Sequence, residues 1–534
     1  MNFLKLKTKL KRALSSSPPL PLLVPGAAVA VSTLLPLIYL ILRAASAGSD
    51  IWAFLMRDRT LEVLWNTVSL TVAVPAGAMI LAVPLAWLTV RTDLPWKRFW
   101  SVVTVLPLAI PSLVGGFTFV SAFGYGGVLY PIIQPVLQWF GRHDLYGFPG
   151  AWLVLTLLSY PYVLLPLRSA LRGLDPAQEE AARTLNHKGW RLFLRVILPQ
   201  LRPAIAAGSL LVALYTLSDF AAVSLLQFDS FTRVIHLQYR ASFNRTYAAV
   251  LALVLVALTL LIVLAEAWSR GRRAYYRVGS GSARRPPTIP LGIWRWPSFI
   301  FVAAVALASV GLPAGMCLYW LIRGIRHGET VVIHWQALWN SVSVSLLAAC
   351  VTVVAALPIA IMATRYRNRL TSTLERISYA GYALPGIVVA LSLVFFGANY
   401  APSLYQTIYL LLFAYMVLFL PQALGSLRSS LVQISPNIER AARSLGRSPL
   451  QVLWSVTLPL IRPGIITGAI MVFLTAMKEL PATLLLSPTG FRTLTTHIWG
   501  ATTEAYYARA ALPSLILMLA SSLSVALLLW QEQK

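Results

Sequence analysis

Charge is scarce in this chain. Acidic side chains number 17 in 534 residues, and charged residues of both signs make up 11%, where soluble domains carry roughly 25%. That deficit excludes an ordinary water-soluble globule. Cysteine is nearly absent. Cys317 and Cys350 are the only two. Both lie inside apolar runs and read as small buried hydrophobes, which implies neither a disulfide framework nor a metal site. The six histidines are dispersed, so no cluster supports a membrane enzyme, and no catalytic or metal-ligating residue is assigned. A Gly-x-x-x-x-Gly-Lys-Ser/Thr phosphate loop is missing throughout, so the chain has no motif for cradling ATP.

What abounds is apolar length. Hydrophobic residues make up 58% of the chain, and several uncharged runs exceed the ~20 residues a helix needs to cross a bilayer. The runs predict an all-helical polytopic membrane protein with twelve spans. They fall at about 20–42, 63–90, 99–123, 149–167, 203–225, 246–265, 297–322, 336–364, 377–398, 405–427, 463–487 and 510–530. The uncharged stretch 377–427 is too long for one helix, and ANYAPS at 398–403 supplies its break. The N-terminal MNFLKLKTKLKR resembles the basic flank of a signal peptide. The run after it is long enough to span and lacks a clean cleavage site, so it reads as an uncleaved first helix.

Twelve spans put both termini on one side. That side holds 32 of the 44 Lys and Arg residues, giving net charges of about +24 and +3 on the two sides. The positive-inside rule places it in the cytoplasm. The formal charge of +27 is therefore topological. Nucleic-acid binding would need the charge on one folded face, and here it is scattered over seven segments.

The chain is also a repeat. LWNTVSL at 64–70 matches LWNSVSV at 338–344, and Pro84, Arg91 and Pro111 match Pro358, Arg365 and Pro385, all at an offset of 274. Further on the offset is 260, which pairs Phe231 and Tyr247 with Phe491 and Tyr507. The first half thus holds 14 extra residues, assigned to the external segment 124–150. Each half is one helix plus a five-helix repeat in the same orientation. That predicts two parallel halves about a pseudo-two-fold along the membrane normal, with a central pathway between them.

The most informative repeat is a polar loop between spans. LDPAQEEAARTLNHKGWRLFLRVILPQLRPAIAAG (174–208) aligns without a gap on ISPNIERAARSLGRSPLQVLWSVTLPLIRPGIITG (434–468). In the first copy Asp175 suits a helix cap, Pro176 the first helical position and Gln178 a capping box. Glu179 and Glu180 lie in the early turns, where the helix dipole favours acid. Ala181 and Ala182 offer a small surface, and Asn186 tolerates a left-handed stop. The second copy has Ser435, Pro436, Glu439, Ala441, Ala442 and Gly446 in these roles. Each copy continues as a more apolar helix into Leu198-Pro199 or Leu458-Pro459, where proline is expected to break it.

This loop resembles the EAA loop of binding-protein-dependent ABC transporter permeases: Glu-Ala-Ala, three residues, Gly, nine residues, an aliphatic, one residue, Leu-Pro. By position the first copy supplies Glu180, Ala181, Ala182, Val196, Leu198 and Pro199, with Asn186 in place of glycine. The second supplies Ala441, Ala442, Gly446, Val456, Leu458 and Pro459, with Arg440 in place of glutamate; Glu439 matches Glu179 instead. The resemblance covers nearly the whole chain as two fused type-I permease units, at 62–268 and 336–531. Residues 1–61 hold the N-terminus, first span and an external segment. Residues 269–296 form a basic linker, and 297–335 the seventh span and a second external segment.

The resemblance implies a coupling helix in each loop, docked on one of two ATP-binding cassette ATPase subunits. ATP and Mg would sit on those subunits, with no cofactor on this chain. It also implies a soluble substrate-binding protein and a bacterial inner-membrane location. SDFAAVSLL, MKELPATLLL and FRTLTTHIWG, with the fused layout, look most like ferric-iron permeases; fused thiamine and aminophosphonate permeases look similar. Charges deep in spans are costly and often functional. Ser218 and Asp219 match Lys478 and Glu479 at 260, and either border a pathway or gate or cap a broken helix. Tyr125, Tyr130, Tyr239, Tyr247, Tyr506 and Tyr507 read as an interfacial belt. An ion-coupled secondary transporter is the competing class. It would not need two stiff helix–turn–helix loops, and RTDLPWKR lacks the Gly/Asp/Arg-rich pattern of the major facilitator family.

Overall fold

The computed structural model describes residues 18–46, 48, 50–139, 141–174, 176–185, 189–241, 246–270, 288–329, 333–366 and 368–532. The N-terminal basic flank, most of the linker, Asp175 and Asn186 lie outside the described residues. Among the described residues there is no strand, only an isolated bridge between Thr92 and Ile289 that moors the end of the linker.

The first half comprises α1 (Leu20–Ala45), α2 (Asp58–Arg91), α3 (Lys97–Val103), α4 (Ser112–Phe123), α5 (Phe148–Arg172), α6 (Pro176–Thr184), α7 (Leu198–Ser218), α8 (Ala221–Leu225) and α9 (Thr246–Arg270). The second comprises α10 (Gly292–Arg326), α11 (Trp335–Arg365), α12 (Arg369–Ser378), α13 (Gly386–Tyr400), α14 (Ile408–Gln433), α15 (Pro436–Ser444), α16 (Arg462–Lys478), α17 (Pro481–Leu486), α18 (Leu494–Thr503) and α19 (Tyr507–Glu532). The ANYAPS break falls between α13 and α14, as the sequence predicts.

Two expected spans are not straight. The 99–123 segment bends by 96° between 97–109 and 112–123, and the 377–398 segment by 100° between 369–381 and 386–400. The cause is local. Ile110 and Leu384 precede Pro111 and Pro385, and a residue before proline is pushed out of the helical region; their ψ values are 118° and 106°. In the first half Arg168 of α5 holds the bent element. Its guanidinium donates to Thr89 Oγ1 (3.0 Å), the Ser101 carbonyl (2.7 Å) and Thr104 Oγ1 (2.6 Å). The expected spans 203–225 and 463–487 also stop early, at Ser218 and Lys478, because Asp219 and Glu479 are extended.

The two sequence halves are not two packing units. One apolar core gathers first-half residues from Leu70 to Phe228, and it is completed by Val302–Cys317 of α10 and by Leu494–Val525 of α18 and α19. The other gathers second-half residues from Val344 to Leu486, completed by Tyr39–Ala44 of α1 and Ala248–Val256 of α9. Each half therefore lends its first and last helices to the other. α1 lies on α11, α12 and α13, while α10 lies on α4. Cys317 is buried as expected, but Cys350 is exposed. It stands on the outward face of α11 with Leu346, Leu347 and Val354, a face suited to lipid.

Candidate coupling helices and pathway acids

The second loop copy forms as its sequence dictates. The Ser435 hydroxyl accepts from the Asn437 amide at 3.3 Å, Pro436 opens α15, and Gly446 ends the turn at φ +84°. A side chain at 446 would be strained in that left-handed conformation. The first copy gives the matching helix α6. The break expected at Leu-Pro is displaced. A π-turn, 193–197 in one copy and 453–457 in the other, runs directly into Leu198-Pro199 and Leu458-Pro459. Proline clashes with the carbonyl four residues earlier, here that of Arg195 or Ser455, and the wider π-turn accommodates the ring. The first copy thus stays one helix over 193–218, whereas the second bends by 69° at Ile461.

The carboxylates of these loops face inward. Glu179 forms a bidentate pair with Arg91 at the end of α2, Oε1 to Nη1 at 2.6 Å and Oε2 to Nη2 at 2.7 Å. The two side chains are 5% and 1% exposed. Glu439 is paired with Arg365 at the end of α11 through a different geometry. Arg365 Nε donates at 3.0 and 3.1 Å, and Thr457 Oγ1 adds a bond at 3.2 Å. Glu179, not Glu180, is therefore the structural equivalent of Glu439. Planar guanidinium–carboxylate forks are the strong, geometrically specific form of ion pair. Ala182 is buried beside Glu179, and Ala442 is half-buried. The other face of each helix is exposed: Glu180 and Ala181 on α6 with Leu185 just past its end, and Arg440 and Ala441 on α15 with Leu445 just past its end. Leu185 and Leu445 are 75% and 84% exposed, a conspicuous apolar tip on each loop.

From the loops α7 and α16 lead to Asp219 and Glu479, the candidate pathway acids. Asp219 Oδ1 accepts from the Ala222 and Val223 amides at 3.0 and 3.4 Å, so it caps α8, and the Ser112 side chain lies beside the same carboxylate. Glu479 Oε1 accepts from the Ala482 amide at 3.3 Å, capping α17. Lys478 Nζ donates to the Leu108 carbonyl at 2.8 Å, joining the second half to the 106–109 turn of the first. Ser218 is half-buried at the end of α7.

Each acid is also held from behind. Thr232 Oγ1 donates to the Asp219 carbonyl at 2.6 Å, and Thr495 Oγ1 to the Glu479 carbonyl at 3.4 Å. The segments carrying these threonines are bound to the LWN motif. Asn66 donates to the Asp229 carbonyl (3.3 Å), and Thr67 accepts from the Phe231 amide (3.0 Å). Asn340 donates to the Arg492 carbonyl (3.0 Å), and Ser341 accepts from the Leu494 amide (2.7 Å). Phe231 therefore corresponds to Leu494 rather than Phe491, because the second half has three extra residues in the turn after α17.

This geometry frames a comparison with known proteins. The family described as "Binding-protein-dependent transport system inner membrane component" matches residues 78–274 and 356–534. The chain belongs to this family. The permease is 39% identical over 498 residues to the Fe(3+)-transport system permease protein FbpB 2 of Haemophilus influenzae, covering 92% of this chain and 95% of that one. It is 24% identical to the ferric transport system permease protein FbpB of Actinobacillus pleuropneumoniae, over 84% and 67% of the two chains. It is 33% identical to the molybdenum transport system permease protein ModB of Escherichia coli over 162 residues, 30% of this chain. The molecule is thus a multi-pass inner-membrane ABC permease, and both family matches include a loop copy with its π-turn.

Arg91 and Arg365 are paired by the repeat, but nothing in the sequence gives either a role. The available signal was position, since each is the only basic residue in the last turn of a long apolar span. Ser112 and Gly386, which meet the pathway acids, carried no signal until the bend brought them there.

Proposed function

We propose that the permease imports ferric iron, delivered to its external face by a soluble binding protein and driven by two ATP-binding cassette subunits. The observation that carries this reading is the pair of helices α6 and α15. Each is locked inward by a buried glutamate and outward presents small residues tipped by an exposed leucine. Such a face suits a groove on a partner. The likeness to the ferric permeases over almost the full length supports the choice of cargo.

In this reading the loops, both termini and the basic linker are cytoplasmic, consistent with the excess of Lys and Arg on that side. The coupling contacts are Glu179, Glu180, Ala181, Ala182, Asn186, Leu198 and Pro199, and Glu439, Ala441, Ala442, Gly446, Leu458 and Pro459. Glu179 and Glu439 act by anchoring the helix; Glu180 and Arg440 stand at the partner surface with opposite charge, so the two ATPase contacts differ. ATP and Mg are held by the partner subunits, this chain carries no cofactor and no catalytic residue, and neither half binds nucleic acid. Ser218, Asp219, Lys478 and Glu479 border the pathway between the halves, where hard carboxylate oxygens suit a hard cation. ATP-driven closure of the partners rocks the halves and alternates access.

The test is co-purification followed by uptake. Tagged permease is expected to bring down two ATPase subunits, and vesicles containing the complex are expected to take up labelled ferric ion when binding protein and ATP are supplied. Stable isolation without ATPase, or competition of the uptake by thiamine, would reject the reading or its cargo.

A further inference from the structure

We propose that α2 and α11 carry the motion of the coupling helices to the pathway acids, with Arg91 and Arg365 as the grips at one end and Asn66–Thr67 and Asn340–Ser341 as the grips at the other. The inference rests on the proposed coupling role of α6 and α15. The two helices contain 34 and 31 residues, which at ~1.5 Å per residue is about 50 and 46 Å. Each therefore reaches from the loops to the far side as one element. At the loop end the guanidinium is paired with a carboxylate from the coupling helix, each side chain no more than 10% exposed. A buried pair of this kind is costly to open, because either charge would be left uncompensated. The coupling helix cannot shift without the end of the long helix shifting with it.

At the far end the grip is made of neutral hydrogen bonds. Asn66 and Thr67 hold both a carbonyl and an amide of the 229–231 segment, and Asn340 and Ser341 hold those of 492–494. One residue further, Thr232 and Thr495 bind the backbone of Asp219 and Glu479 themselves. The same set of contacts occurs in both halves, although the halves differ in length on either side of it. α2 and α11 contain prolines, Pro75 and Pro84 in one and Pro358 in the other. They are nevertheless braced along their length by α5 and α7, and by α14 and α16, so the missing backbone bonds do not free them. α7 and α16 join the same two ends covalently. The loop, the two helices and the acid segment make a closed frame in each half.

The arginines and asparagines are positioning residues, and the question is whether the frame or α7 and α16 alone transmits the stroke. The complex of permease, ATPase subunits and binding protein, reconstituted in vesicles, is measured for ferric ion moved per ATP hydrolysed. Arg365→Gln and Asn340→Ala are expected to keep the ATPase subunits bound and hydrolysing while transport per ATP falls by about 5–150-fold, the usual span of a coupling free energy. The exchange Arg91→Glu with Glu179→Arg is expected to restore transport that Arg91→Glu alone removes. Wild-type transport per ATP in Arg365→Gln and Asn340→Ala would overturn the proposal. If an arginine variant fails to assemble, Asn66→Ala and Asn340→Ala, at the opposite end, decide alone. An unmutated complex with no ATP-driven transport would instead reject the functional reading beneath it.

Discussion

Glu479 occupies space that Gly386 leaves empty: a Cβ at position 386 would lie 2.6 Å from Glu479 Oε1. In the other half the equivalent positions hold Ser112 and Asp219, and the serine side chain lies beside the shorter acid. The two halves solve one packing problem with opposite combinations, small residue with long acid and larger residue with short acid. Gly386→Ser is therefore expected to destabilise the permease by roughly 1–3 kcal/mol, the usual cost of overpacking. Adding Glu479→Asp is expected to recover most of that loss. Thermal unfolding of the purified single and double variants checks it, and additive losses would contradict it.

The buried ion pairs set a second expectation. Glu179→Gln leaves Arg91 buried without its counter-charge and is expected to cost about 3–5 kcal/mol. Glu439→Gln is expected to cost less, because Arg365 and Glu439 are more exposed, at 10% and 7%, and Arg365 keeps a bond to the Ile434 carbonyl (3.3 Å). Replacing Arg91 and Glu179 together by apolar residues is expected to cost little stability, since a buried pair contributes less than either lone charge would lose. Denaturation midpoints of the three variants test the order.

The exposed tips make a third. Leu185→Asp and Leu445→Asp alter side chains that are 75% and 84% exposed, so folding is expected to be unaffected. Loss of ATPase subunits during co-purification is the expected outcome, severe for the double variant. Retention of both subunits by the double variant would remove α6 and α15 as the docking helices.

A fourth follows from the exchanged helices. Because α1 and α9 complete the second core and α10 and α19 the first, neither half alone covers its apolar surface. Residues 1–268 and 269–534 expressed separately are expected to be degraded or aggregated. Co-expressed as two chains, they are expected to assemble into one complex, recovered by a tag on either piece. Independent folding of either half would contradict the packing.

The limits of the sequence can be traced to particular residues. Span existence, the repeated loop and its helix caps were legible because each depends on residues close together: Ser435 with Asn437, or an uncharged run of sufficient length. The Arg91–Glu179 and Arg365–Glu439 pairs were not. They bridge separations of 88 and 74 residues, and matching Arg91 with Arg365 and Glu179 with Glu439 along the repeat does not say that the side chains meet. The bends were half legible, since Pro111 and Pro385 were matched in the repeat, but apolar length alone reads a bent pair as one straight span. The exchange of helices left no trace, because an apolar face does not record which half will cover it. At Asp219 and Glu479 the alternatives of pathway and helix cap were both open, and the caps are present.

The most direct measurement of the central claim is ATP-driven ferric uptake by vesicles holding the permease, its ATPase subunits and its binding protein, compared with the Leu185→Asp/Leu445→Asp variant. The account predicts uptake that requires ATP and binding protein and is lost in the variant. Uptake driven by an ion gradient without ATPase subunits, or undiminished in the variant, would contradict it.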